Sequence, residues 1–235
     1  MKAAVIIPVY NHGSRVGEVV RRALTLALPL IVVDDGSTDD TVAVLAAIPG
    51  ITLRCHPVNR GKGAALLTGM AAALEQQCDW ALTIDGDGQH NPADAPALLA
   101  AAVAAGRCLV IGRRQGMAAD ANVPWTSRFG REFSNFWVFL AGGPRVSDSQ
   151  SGFRLYPLPE VLQWGVRAQR YQFEVEVLVR AQRQGVPTIE VPVGVVYQAR
   201  GTRVSHFRPW RDFLRNSFTF SRLIRERIVS LFCRR

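Results

Sequence analysis

Residues 82–92 read LTIDGDGQHNP, and Trp80-Ala81 precede them. The apolar run has the length and composition of a buried strand, yet it ends on Asp85 and Asp87 with one glycine between them. Two carboxylates this close repel each other, and each costs desolvation energy if buried. A plain surface turn accounts for Asp-Gly-Asp-Gly but not for the Gln89-His90-Asn91-Pro92 that follows. The small Gly86 leaves both carboxylates able to approach one hard cation. Mg²⁺ keeps several waters and completes its shell with substrate phosphates, so it needs few protein ligands. His90 reads as a support behind such a site rather than as a ligand.

Working outward, short apolar runs alternate with helical patterns over the first 115 residues. Strands are predicted at 3–8, 30–34, 51–55, 80–85 and 108–112, and helices at 14–27, 39–47, 62–76 and 93–105. That alternation predicts an α/β fold with a mostly parallel central sheet covered on both faces. Ligands of such sheets bind beyond the carboxyl ends of the strands. Polar clusters fall at those ends: Tyr10-Asn11, Asp34-Asp35-Gly36-Ser37 and Asp85-Gly86-Asp87. In VVDDGSTDDT, Gly36 suits a turn and Thr38 or Asp39 a helix cap, while Asp35 is free to accept hydrogen bonds from a base or ribose hydroxyl. NRGKG lets backbone approach a ligand and sets Lys62 at a helix start, without the full P-loop spacing.

From about residue 124 the pattern shifts to an aromatic-rich helix (WTSRFGREFSNFWVFLAGG), a polar loop (VSDSQSGFRLY), a helix (QFEVEVLVRAQRQG) and a strand (TIEVPVGVVYQ). The 235 residues carry a formal net charge of +9, which predicts anionic partners. Six of those charges lie in the last 28 residues, where eight arginines face only Asp212 and Glu226. Acids line the predicted site and the excess charge is concentrated in the tail, which argues against nucleic acid as the partner. Four dispersed cysteines without CxxC spacing argue against a zinc ribbon or a disulfide framework and for a reducing compartment.

In order, IPVYN, VVDDGSTDDT, NRGKG, DGDGQHNP, SGFR and the late EVPV…Y…SH resemble the family-two inverting glycosyltransferases. The likeness is to the branch of dolichyl-phosphate mannosyltransferase and polyprenyl-phosphate glycosyltransferases, and it runs from about residue 5 to 206. It implies a GT-A type, Rossmann-like nucleotide-sugar-binding fold for residues 1–206. It further implies that Pro8, Tyr10, Val33 and Asp35 hold base and ribose with Lys62 close by. Asp85, Asp87 and Gln89 would form the Mg²⁺ or Mn²⁺ and diphosphate site, with Gly86 contributing backbone. Arg113 would contact a donor or acceptor phosphate. The Arg200–His206 loop, with Arg203 inside it, would close over the diphosphate. Here that loop reads GTRVSH, longer than the Gly-x-Ser-His or Gly-x-Ser-Lys the family often carries.

The mechanism expected from this is inverting transfer from a GDP- or UDP-sugar. A lipid phosphate acceptor is ionised near neutral pH and needs no general base, only positive charge such as Arg113, Arg128 and Arg131. A hydroxyl on a glycolipid or glycan would need a base, for which Asp87 and then Asp148 are the candidates. Residues 207–235 are expected to form a basic amphipathic helix, with Trp210, Phe213, Leu214, Phe220, Ile224, Ile228 and Leu231 in one stripe. Such a helix suits an anionic membrane surface; the alternative is that it packs on the enzyme's own core. The expected location is the cytoplasm, peripheral on the cytoplasmic face of the inner (plasma) membrane. The sequence leaves oligomeric state, sugar and choice of nucleotide open.

Overall fold

Strand alternation divides the apolar residues into two cores. Ile6, Ile31, Val33, Ala81 and Ile111 point to one side of the sheet, while Val5, Ile7, Val32, Leu82 and Val110 point to the other. Both sets are fully buried, as expected for strands covered on both faces. A computed structural model describes residues 1–115, 125–195 and 209–232, without the side chains of 125–129 and 209–213.

The strands are β1 (Ala3–Val9), β2 (Leu30–Asp34), β3 (Ile51–Cys55), β4 (Trp80–Thr83), β5 (Leu109–Arg114), β6 (Arg154–Pro157) and β7 (Thr188–Val193). They form one sheet in the order β3-β2-β1-β4-β6-β5-β7. All pairings are parallel except those of β6, which runs antiparallel between β4 and β5. Helices α1 (Gly13–Leu24), α2 (Thr41–Ala46) and α4 (Ala95–Ala105) cover one face. Helices α3 (Lys62–Glu75), α5 (Trp125–Leu140), α6 (Glu160–Gln163), α7 (Phe173–Arg183) and α8 (Pro209–Phe232) lie on the other. The five strands expected in the first 115 residues form. The antiparallel insertion of β6 and the single turn α6 carry no periodicity long enough to read in advance.

The order of strand addition reverses at β1, whose neighbours β2 and β4 both run parallel to it. That switch point places the ends of β1, β2 and β4 along one edge of the sheet, and because β6 is antiparallel, its entry loop 147–153 arrives at the same edge.

The C-terminal helix is not a detached tail. Phe220 and Leu223 of α8 are buried in the core shared with α5 and α7. Arg222 pairs with the buried Glu176 of α7 at 2.6 Å, and Glu226 accepts from Arg180 and Arg183. Leu214, Phe218, Ile228, Val229, Leu231 and Phe232 stay exposed. The expected stripe is therefore divided: Phe220 and Ile224 face the protein, while Leu214, Ile228 and Leu231 face solvent. Trp210 and Phe213 lie outside the described side chains. Among the described residues no helix is long and apolar enough to cross a membrane.

Candidate active site

Each motif at this edge is held by a specific contact. After β2, Asp34 turns one way and accepts the backbone N–H groups of Gly36 (3.2 Å) and Ser37 (3.1 Å), closing the turn. Gly36 has a positive φ of 75° and packs on the Val58–Asn59 backbone, so only glycine fits there. Asp39 accepts from the N–H groups of Thr41 and Gly13, tying the starts of α1 and α2 together. Asn11 accepts from Thr38 N–H at 2.8 Å and its own N–H donates to Ser37, which fixes the loop after β1.

Asp35 turns the other way, toward α3. It is buried, pairs with His56 Nδ1 at 2.7 Å, and accepts the N–H groups of Arg60 (2.9 Å) and Gly61 (2.6 Å). His56 Nε2 in turn meets Thr68 at 2.9 Å. A carboxylate has about four acceptor sites, so Asp35 spends most of its capacity on shaping the NRGKG loop. Val33, expected at the nucleotide, sends its side chain into the core behind α3. A residue inside a parallel ladder with a buried side chain has no side-chain atom to offer a ligand. Pro8 is buried beside it in register, and Tyr10 stands half-buried one residue past the strand.

The DGDGQHNP segment leaves β4 at Thr83, and Ile84 N–H still reaches Ile6 O. Gly86 lies so close to Pro8 and Val9 that a Cβ there would stand 2.9 Å from Val9 Cγ1, which explains the glycine between the two acids. Asp87 Oδ1 accepts the N–H of Gln89 at 3.0 Å. Gln89 and His90 are buried; the His90 ring stacks on Phe153 at 5.3 Å, and His90 bridges to Val195 just past β7. Burial holds the His90 imidazole below its usual pKa despite the pull of Asp85 and Asp87.

Asp85 pairs with Lys62 Nζ at 2.7 Å, and the same ammonium reaches Glu174 Oε1 on α7 at 2.5 Å. Burial works against all three charges. Lys62 nevertheless stays protonated well above its usual range because two carboxylates surround it. Burial likewise opposes ionisation of Asp85, but Lys62 and His90 hold its carboxyl below the ordinary value. At Glu174 burial wins and the pKa moves up. Behind Asp85 sits Gly152 of the SGFR motif, where a Cβ would stand 2.6 Å from Asp85 Cγ and closer still to both oxygens. Arg154 of that motif is fully buried and donates to the carbonyls of Ser151, Ser149 and Glu174, each at 2.7 Å. The motif is thus a clamp: its glycine makes room for Asp85 and its arginine fastens the loop to α7.

On the β5 side, adjacent Arg113 and Arg114 point to opposite faces by strand alternation. Arg114 holds the buried Asp148 with two guanidinium bonds (2.7 and 2.8 Å) and its own backbone N–H (3.2 Å). Burial raises the Asp148 carboxyl, but Arg114 and then Arg131 outweigh it and keep it below the ordinary range. Asp148 was the second candidate base; a carboxylate with both oxygens held this way is a positioning group instead. Arg131, on α5, adds positive charge on the same side, and Arg113 is half-buried at the end of β5. Arg200, Arg203 and His206 lie outside the described residues, and so does the Arg128 side chain.

Among the described residues no three His, Cys, Asp or Glu side chains converge as a metal cage. The donors present, Asp85 and Asp87 carboxylates with Gln89 beside them, fit an oxygen-loving cation that takes the rest of its shell from water and phosphate. Sequence reasoning missed Glu174, Arg114, Arg154 and His56. Glu174 had a signal: it sits in FEVEVLV, an acid within a run whose apolar neighbours all demand burial.

The family assignment rests on the match of residues 4–157 to the model described as "Glycosyl transferase family 2". The chain belongs to glycosyl transferase family 2. It is 32% identical over 224 residues to the UDP-N-acetylglucosamine–dolichyl-phosphate N-acetylglucosaminyltransferase of Methanococcus voltae, covering 85% of this chain and 89% of that one. It is 31% identical over 204 residues to the polyprenol monophosphomannose synthase of Mycolicibacterium smegmatis, covering 82% and 76%. In fold it is similar to mannosyl-3-phosphoglycerate synthase from Rubrobacter xylanophilus, with a TM-score of 0.68 at 15% identity over 98% of this chain and 74% of that chain. The family-two member described here thus has the GT-A type α/β fold and is a glycosyltransferase.

Proposed function

We propose that this enzyme transfers a sugar from a nucleotide-sugar donor to a polyprenyl-phosphate-type lipid acceptor, with inversion and with Mg²⁺ or Mn²⁺ at Asp85 and Asp87. The observation that carries the choice of acceptor is the bidentate Arg114–Asp148 pair. It withdraws one of the two candidate bases and leaves a cationic side of the site, with Arg113 and Arg131. An acceptor that is already ionised needs cations around it and no base. The names of the two relatives, one an N-acetylglucosaminyltransferase of dolichyl phosphate and one a polyprenol monophosphomannose synthase, support the same reading.

In this mechanism the loops after β1 and β2 receive the nucleoside: Tyr10 and the Pro8 backbone on one side, Asp35 and its NRGKG loop on the other. When bound, the divalent cation supplies Lewis-acid stabilisation of the charge that develops on the leaving diphosphate. Asp85, Asp87 and Gln89 would hold that cation, and Lys62, kept nearby by Glu174, adds positive charge behind the site. Arg113 and Arg131 hold the acceptor phosphate toward the anomeric carbon, and Arg200, Arg203 and His206 complete the anion site. The exposed apolar ends of α8, flanked by arginines, keep the enzyme at an anionic membrane surface, where the acceptor resides.

Purified enzyme is incubated with radiolabelled GDP-mannose, UDP-glucose or UDP-N-acetylglucosamine, Mg²⁺ and a bacterial membrane extract supplemented with a polyprenyl phosphate, with Asp87→Ala as control. Label entering the organic phase in a mild-acid-labile form, and absent in the variant, supports the proposal. Acid-stable lipid label indicates a hydroxyl acceptor and returns Asp87 to the role of base. Organic-phase label equal in enzyme and variant refutes the site.

A further inference from the structure

Lys62 sits in an unusual position for a residue expected near a donor's phosphates: its ammonium is already shared between Asp85 and Glu174, acids nearly ninety positions apart in sequence. Two of the three partners are held by their surroundings. Asp85 is backed by Gly152, where not even a methyl group fits, and its neighbour Gly86 is pressed on β1. Glu174 lies in the first turn of α7, with its carbonyl held by the buried Arg154 at 2.7 Å. Lys62 is the mobile member, a flexible four-carbon stem on the first residue of α3.

We propose that Lys62, tethered by Glu174, is the counter-ion that Asp85 uses while no divalent cation is bound, and that it withdraws toward Glu174 when the cation arrives with its diphosphate. The inference rests on the metal reading of Asp85 and Asp87 given above. A cation arriving alone must approach an oxygen that already has an ammonium 2.7 Å away, and like charges at that range repel strongly in a partly buried site. A nucleoside diphosphate brings negative charge that offsets the repulsion. Cation and nucleotide therefore bind cooperatively, each raising the affinity for the other by the same factor. Glu174 is a positioning residue in this scheme: it gives the displaced ammonium a place to stay, so the site is not left with an unpaired buried charge.

The test follows Mn²⁺ binding to the full chain by the paramagnetic resonance signal of the free ion, with and without GDP or UDP. The wild type is expected to bind Mn²⁺ weakly alone and at least about tenfold more tightly with nucleotide. Lys62→Met is expected to bind Mn²⁺ alone at least about tenfold more tightly than wild type, since a competing charge is gone, and to lose most of the cooperativity. Glu174→Gln, which leaves Lys62 to Asp85 alone, is expected to weaken nucleotide-free Mn²⁺ binding further. If Lys62→Met fails to give a native circular dichroism spectrum, Lys62→Met/Glu174→Gln removes the counter-ion together with one acid and must also bind Mn²⁺ more tightly than wild type. A folded Lys62 variant with unchanged or weaker nucleotide-free binding overturns the proposal while leaving the metal site standing. Absence of Mn²⁺ binding by every form, with nucleotide present, overturns the metal reading itself and the proposal with it.

Discussion

Replacing Gly152 by alanine puts a methyl carbon 2.6 Å from Asp85 Cγ and closer to both carboxylate oxygens. Ordinary contact distances begin near 3.4 Å, so the overlap is close to an ångström and something must shift. The Gly152 backbone cannot yield easily, because its carbonyl accepts from the buried Thr83 hydroxyl at 2.7 Å and the next two residues are fully buried. Asp85 is the part displaced, and its 2.7 Å pair with Lys62 goes with it. Overpacking of this kind costs about 2 kcal/mol, which for a chain of this length lowers Tm by about 4–8 °C. Gly130→Ala is the control: it lies in α5 with nothing within 4 Å of the added Cβ, so it should be neutral or gain up to about 1 kcal/mol. Calorimetry reads the stability, and titration with Mn²⁺ and nucleotide reads the site; Gly152→Ala should lower both. Wild-type Tm and wild-type nucleotide affinity in Gly152→Ala would show that the SGFR loop does not clamp Asp85.

Asp148→Asn leaves the Arg114 guanidinium facing a neutral group at a fully buried position, and breaking such a pair costs about 3–5 kcal/mol. Because the folded-state pKa of Asp148 is depressed, its stabilisation is present above the ordinary value of 3.8 and is lost as pH falls below it. The stability gap between wild type and variant, measured by urea unfolding, should therefore be widest near neutral pH and narrow in acid; a gap independent of pH would contradict the assignment. Phe218 and Phe232 are about three-quarters exposed on α8. Phe218→Asp/Phe232→Asp should cut sedimentation with phosphatidylglycerol vesicles at least about tenfold, since each buried phenylalanine contributes about 1.5–3 kcal/mol, while Tm stays within about 2 °C. Undiminished sedimentation would remove α8 from the membrane interface.

The parallel sheet was legible in the sequence because β1, β2 and β4 are short, largely apolar runs that lead into polar or acidic clusters, while β3, with Thr52 and Arg54, has the mixed composition of the edge strand it forms. So were the strand-end acids Asp34, Asp35, Asp85 and Asp87, since charged groups at the close of a buried run stand out against it. What each acid does was not legible. Asp34 and Asp35 are neighbours with the same side chain, yet strand alternation sends one to a turn and the other to His56 and the NRGKG loop. Asp85 owes its ionised state chiefly to Lys62 and its clamped position to Gly152, which come from α3 and the loop before β6. Asp148 and Val33 looked available as isolated letters and are spent on Arg114 and on the core. Partners of a buried charge are chosen by through-space distance, and distance across a sheet depends on strand order and the insertion of β6, which no local periodicity encodes.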